Sequence, residues 1–280
     1  MNLKVRHALH YTYSEPVRLD PHTLYIYPRT YPHQKVVDYS LQITPAPSKV
    51  VMNVDAEGNA QQIAYFNPDL ISELVVTSEM TISLGQVNVF DFVLYPFATQ
   101  KLPFLYEDRE FKYLIPYLNK DGVTHDVNVF ARFIADQSEW QTVPFLVTLS
   151  RYICENFSYS RRDSGVAYPP DETLKTKSGS CRDYSRLFIS ACRSLGVAAR
   201  FVSGYLYGNP MQAHELHAWV EVFLPGAGWR GFDPTEGRAI INNHISLGAS
   251  ADFDRLAPVM GSYRGMAHAV LETQVDIVAE

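Results

Sequence analysis

Tyr184, Leu187, Phe188, Ala191, Cys192 and Leu195 recur at i, i+3, i+4, i+7, i+8 and i+11. That spacing lines one face of an α-helix, whose period is 3.6, and fits no strand, whose period is 2. A continuous apolar face of this kind must be covered by other elements, so the chain has to build a layered core around it. The limits of the helix are also legible. Ser180 and Asp183 form a Ser-x-x-Asp pattern resembling a capping box, with Asp shorter than the usual Glu or Gln. Gly196 stands where a helix ends in a left-handed residue. Cys192 lies on the apolar face and reads as a small buried hydrophobe. With Ser180 as N-cap, Cys181 is instead the first helical residue.

Around this helix the chain divides in two. Residues 1–105 alternate with period two, as in 4–13 and 35–43, and are punctuated by Pro45, Pro47 and the turn Asp55-Ala56-Glu57-Gly58-Asn59. Further strands are expected at 63–66 and 74–84. The 18 Tyr and 15 Phe suit such a β-rich unit, and a β-sandwich-like domain is expected. Residues 102–123 read as linker and crossing segment. Residues 106–280 then carry helical periodicity at 126–136 and 142–157, where Cys154 lies on the apolar face and reads as a buried small hydrophobe. A loop-like stretch at 161–177, the central helix, and strands at 198–206, 217–224 and 229–232 follow. A half-buried last strand at about 268–278 is expected to return to the N-terminal domain. The fold class is α+β, with helices packed on an antiparallel sheet in the second domain.

The chain has 280 residues, 46% of them hydrophobic and 19% charged, which is enough to bury a sizeable core. The net charge is −6 and no basic cluster exceeds Arg161-Arg162, so nucleic acid is not an expected partner. No apolar run reaches membrane-spanning length, and the first residues lack the apolar core of a secretory signal. The three cysteines, Cys154, Cys181 and Cys192, form no Cys-x-x-Cys pair and cannot all be bridged. A reducing, cytoplasmic setting is expected.

The position of Cys181 has chemical consequences. The positive end of a helix dipole favours a thiolate, and the free N–H groups of a first turn can donate to a developing oxyanion. Gly179 just before it lets a substrate backbone approach. A thiolate needs a proton partner. His217 opens the run His217-Ala218-Trp219-Val220-Glu221-Val222, in which the valines read as the core face and His217 as the opposite one. Asp233 follows in Gly231-Phe232-Asp233-Pro234-Thr235, where it can orient the imidazole. This last role depends on register. A four-residue loop Pro225-Gly226-Ala227-Gly228 pairs Leu224 with Trp229 and sets Asp233 opposite Val220, on the wrong face. An odd loop or one bulge sets Asp233 opposite Trp219, diagonal to His217.

Other readings compete. His214, in the preceding loop-like stretch, is an alternative base. Cys181, His214, His217 and Asp233 are all metal-ligand types, but their spacing follows no zinc pattern, and no metal or cofactor is expected.

The segments Gly179-Ser180-Cys181-Arg182-Asp183, 196–205, 217–222 and 228–235 resemble the core of bacterial transglutaminase-like proteins, relatives of animal transglutaminases and, more distantly, of papain-like proteases. Residues 10–17 and 55–59 with Phe66 resemble the β-rich N-terminal region of the same group. The resemblance implies a transglutaminase/papain-like core and a Cys–His–Asp triad of Cys181, His217 and Asp233. Arg182 stands where many relatives have Gln, and Gly248-Ala249-Ser250-Ala251-Asp252-Phe253 replaces a Gly-Arg-Asp-Tyr-like stretch. The expected activity is thiol-dependent hydrolysis of an amide or peptide bond in a peptide or protein substrate. Acyl transfer to an amine uses the same residues, and a non-catalytic peptide-binding protein could keep the same fold. Tyr168 and Tyr205 are candidates for a second oxyanion donor.

Overall fold

A computed structural model describes residues 1–86, 88–162, 165–208 and 215–280. The first strand, Asn2–Leu19, is long, and its inward residues Leu3, Val5, His7 and Leu9 alternate with exposed ones, as a sheet covered on one face requires. It pairs antiparallel with Ile71–Leu84, which pairs in turn with Gln34–Thr44. On its other side it pairs with Ala269–Ala279, from Leu3 against Ala279 to Tyr13 against Ala269. The short strand Tyr263–Arg264 continues that side at Arg18 and Leu19. A second sheet has the order Val259–Met260, His22–Leu24, Ala60–Tyr65, Lys49–Val54. The two sheets share a core of Leu9, Val17, Leu24, Ile26, Leu74 and Val76.

The second half is built on a five-stranded antiparallel sheet in the order Arg238–Ala239, Gly228–Asp233, Leu216–Leu224, Ala199–Leu206, His244–Ser250. One face is covered by the helices His125–Gln137, Thr142–Asn156 and Cys181–Ser194, which enclose Phe145, Leu149, Leu187, Phe188, Val220 and Val222. Toward the N-terminal sheet, Tyr205, Ile245 and Leu247 meet Leu3, Val5, Met80, Ile82, Val275 and Ile277. The fold is therefore α+β, with the central sheet enclosed between helices and the sheet built on Asn2–Leu19.

Some elements differ from the sequence reading. The central helix is buried on nearly every side, not on one face, because its polar residues find partners inside. Arg193, 5% exposed, donates to the carbonyls of Ala199 and Ala251 at 2.9 and 2.7 Å. Helices occur at Asp108–Leu114 and Pro170–Thr176, within segments read as linker and loop. In the latter, Pro170 occupies the first helical position, where a missing N–H costs nothing. The strand His244–Ser250 was not anticipated. All seven of its residues are buried, so it shows no alternation, and its pairing slips between Ser246 and Gly248.

Candidate active site

The helix Cys181–Ser194 begins where the capping pattern placed it. The carboxylate of Asp183, fully buried, accepts from the backbone N–H of Ser180 at 2.7 Å and from its hydroxyl at 2.8 Å. Its other oxygen accepts from the backbone N–H of Tyr168 at 2.7 Å and from Arg162 at 2.5 Å. Burial alone would raise the Asp183 acid. The Ser180 and Tyr168 N–H groups and Arg162 outweigh it and hold the carboxyl below its usual range. Arg182 donates to the carbonyls of Gly165 and Arg162, and Arg186 to that of Ala167. These bonds fasten the preceding loop onto the first helical turn and fix the position of Cys181.

The hairpin that carries His217 and Asp233 takes the odd register. Leu224 pairs with Gly228 and Val220 with Phe232, leaving the three-residue loop Pro225-Gly226-Ala227. Ala227 N–H donates to Leu224 at 2.9 Å, and Gly226 has φ of +82°, the conformation that a tight turn with Pro in its second position asks of the third. Continuing this register by one residue sets Asp233 opposite Trp219, diagonal to His217. The imidazole accordingly reaches the carboxylate, with Nε2 donating to Asp233 Oδ2 at 2.7 Å.

Cys181, His217 and Asp233 are brought together. The thiol of Cys181 lies within hydrogen-bonding reach of His217. Because Nε2 is committed to Asp233, the ring nitrogen on the thiol side is Nδ1. Cys181 is 6%, His217 3% and Asp233 0% exposed, so the line is largely dry. Burial disfavours the charged imidazole. The charge and hydrogen bond of Asp233, with a smaller contribution from Cys181, more than offset it and raise His217 well above its ordinary value. Burial likewise pushes Asp233 up, while His217 and then His244 hold it far below the usual carboxylate range.

The other cysteines are in different surroundings. Cys192 is fully buried and its thiol is pushed up by burial. Cys154 is half-buried, not enclosed as its apolar neighbours suggested. Its thiol donates to the Thr235 carbonyl at 3.2 Å, from beneath the turn that follows Asp233. His214 lies outside the described residues. The Tyr205 hydroxyl bonds to His7 Nδ1 at 2.9 Å, and the Tyr168 ring lies beneath the Arg162 guanidinium at 3.7 Å.

Two residues absent from the sequence reading join the site. The Tyr159 hydroxyl reaches both the Cys181 thiol and the Glu215 carboxylate, the latter at 3.2 Å. Burial and these two neighbours raise it, so it stays protonated. Its only sequence signal is a place on the strand Ser158–Tyr159, which runs parallel to Ser178–Gly179 just before the thiol. His244 Nε2 donates to Asp233 Oδ2 at 3.1 Å. Like His217, His244 opens an apolar run, and that was its one available sign. The ligand atoms of His217, Asp233 and His244 all lie within 4.8 Å of one another. A cation there would have to displace the protons that both imidazoles donate to the carboxylate.

The thiol opens into a cavity of about 370 Å³. Its walls come from both halves of the chain: Leu9, Tyr11 and Leu271 from the N-terminal sheet, Val166 and Ala167 from the loop before the helix, and Leu256 and Pro258 from the connection between His244–Ser250 and Val259–Met260. An apolar body with a carbonyl directed at Cys181 fits such a cleft.

A family model of the transglutaminase-like superfamily matches residues 129–234, and one of the bacterial transglutaminase-like N-terminal region matches residues 3–83. An uncharacterized protein of Mycobacterium tuberculosis is 26% identical over 294 residues, covering 98% of this chain and 92% of its own. A protein-glutamine gamma-glutamyltransferase of Pseudomonas aeruginosa is 34% identical over 97 residues, 31% of this chain and 14% of that protein. Among solved structures, a Cytophaga hutchinsonii protein proposed to be a cysteine protease superposes with a TM-score of 0.74 at 19% identity, covering 99% of this chain and 90% of that one.

Proposed function

We propose that this chain, which matches family models of the transglutaminase-like superfamily and of the bacterial transglutaminase-like N-terminal region, is a thiol-dependent amidohydrolase working through Cys181, His217 and Asp233. The observation that carries this reading is the alignment of the Cys181 thiol, His217 and Asp233 at one cavity, with His217 hydrogen-bonded to Asp233 and the thiol beside the imidazole. The sulfur of Cys181 attacks an amide carbonyl, and its proton passes to Nδ1 of His217. His217 then delivers that proton to the departing amine as the C–N bond breaks, leaving a thioester. Water, deprotonated by His217, attacks the thioester and releases a carboxylic acid and the thiol. Asp233 holds the ring in one orientation and stabilises its charged form.

The backbone N–H of Cys181 is one oxyanion donor, and the Tyr159 hydroxyl, already at the sulfur, is the second. Tyr159→Phe is expected to lower kcat by about 10²-fold with little change in KM, the scale of one oxyanion donor. A fall of less than about fivefold in steady-state assays would remove Tyr159 from that role.

A second reading is favoured by the likeness to the Pseudomonas aeruginosa gamma-glutamyltransferase. The same thioester could be resolved by an amine, giving a new amide. Acid quench of the protein with a peptide library should trap an acyl group on Cys181, identified by mass spectrometry. Addition of primary amine then separates the two fates: unchanged free acid marks a hydrolase, and amide formed at the acid's expense marks a transferase. Absence of any acyl group on Cys181 across peptide and glutamine-containing substrates would count against both.

A further inference from the structure

We propose that His244 is a positioning residue for this site: it shares the charge of Asp233 with His217 and so sets how firmly His217 holds its proton. The proposal rests on the reading of Cys181, His217 and Asp233 above, and adds a fourth member on a different strand. Among the described residues, Asp233 makes four hydrogen bonds. Oδ1 accepts from the backbone N–H groups of Thr235 and Glu236 at 2.8 and 3.2 Å. Oδ2 accepts from His217 Nε2 at 2.7 Å and from His244 Nε2 at 3.1 Å. The two backbone bonds fix the carboxylate, so Oδ2 is presented to two imidazoles at once.

A carboxylate only accepts, so Nε2 of His244 must carry a proton. The other ring nitrogen, Nδ1, is buried and has no hydrogen-bond partner among the described residues. The ring is 3% exposed and stands edge-on to Trp219, with centroids 5.1 Å apart. Asp233 is therefore the one polar contact of the His244 ring among the described residues, and no second proton is called for. A neutral imidazole held in this way draws charge from Oδ2 without adding a full positive charge beside His217. In a dry site the distinction matters, because a carboxylate facing one imidazole alone would bind its proton more tightly. An imidazole that gives up its proton too reluctantly is a poor acid toward the leaving amine.

The test uses the whole protein and needs no substrate. Among the described residues, the titratable groups around His217 are Cys181 from the helix, Asp233 from the adjacent strand, His244 from the strand one further across the sheet, and His7, Tyr159 and Glu215 around the cavity. All except His244 stay constant in the variants. His217 is titrated by nitrogen NMR in the wild type, H244F and H244Q, alongside the pH profile of Cys181 alkylation by iodoacetamide. Phenylalanine keeps the ring and its packing on Trp219 but removes the donor. Glutamine can restore an uncharged N–H near the same place.

We expect H244F to move the loss of the His217 proton upward by about half to one pH unit, the scale of one hydrogen bond, with H244Q lying closer to the wild type. No shift in a folded H244F, a downward shift, or an equal shift in both variants would overturn the proposal. If H244F does not fold, the wild type decides the question: two downfield imidazole protons are expected, one on Nε2 of each histidine, and a His244 without a proton on Nε2 overturns it. Selective alkylation of Cys181 in the wild type is a separate outcome. If it is lost, the thiol-enzyme reading fails; if it is kept while His217 is indifferent to H244F, only the role of His244 fails.

Discussion

Cys181→Ala is expected to keep the fold and lose turnover by a factor on the order of 10⁵ or more, as when the nucleophile is removed from residues that act as a unit. The side chain is small and its contribution to packing modest, so thermal unfolding should move little. Chemical labelling gives an independent check. Iodoacetamide below about pH 8 should modify Cys181 first and abolish activity with one equivalent, because a thiol beside a charged imidazole at a helix start is the reactive kind. Cys192 is sealed in the core and its thiol is pushed up by burial. Cys154 is pushed up by burial and then by the acidic groups of Glu236, Asp233 and Glu155, and its hydrogen is engaged by Thr235. Equal, slow labelling of all three cysteines would sink the thiol-enzyme reading.

Asp233→Asn should be nearly as severe and, unlike the first change, should also cost stability. Every acceptor position of this carboxylate is used. Two backbone N–H groups face Oδ1 and two imidazole N–H groups face Oδ2. An amide placed here must turn its NH₂ toward one of these donor pairs, so two buried donors lose their acceptor whichever way it is oriented. Breaking a buried charge pair by removing one partner costs about 3–5 kcal/mol, and kcat should fall by roughly 10⁴-fold as the imidazole loses its tautomer and its charge.

The pH dependence of that stability loss has a defined sign. The depressed Asp233 contributes stability above its unfolded value, near 4, and loses it as pH falls. The raised His217 contributes below its unfolded value, near 6.5, and loses it as pH rises through its folded value. The wild type should therefore exceed the variant most between these limits. Urea unfolding at pH 3, 6 and 9 would show this, and a gap that did not narrow at pH 3 would contradict the network.

The sequence carried this site further than it carried the frame around it. Cys181 was separable from Cys154 and Cys192 because helix periodicity is sharp over 184–195, and the hairpin register could be argued because a one-residue slip reverses every side chain. Asp233 then had to meet His217 through an odd loop, and Leu224 pairs with Gly228 as that argument required. Periodicity says nothing where a strand is buried on both faces, which concealed His244–Ser250 and with it the second imidazole on Asp233. Tyr159 was concealed for a different reason. It stands on a two-residue strand whose parallel partner lies beside the thiol, a contact that no local pattern announces. The helix Pro170–Thr176 was hidden by Pro169-Pro170, which reads as a loop unless the second proline is recognised as a helix start.

The pairing of Ala269–Ala279 along the first strand bears on the order in which this molecule can be made. Leu271 and Thr273 of that strand stand in the wall of the cavity above Cys181. A ribosome therefore delivers the thiol, the imidazole and the carboxylate before it delivers the strand that completes their enclosure. Until Ala269–Ala279 has emerged and paired with Asn2–Leu19, the nascent protein holds these side chains without the wall that completes their chamber.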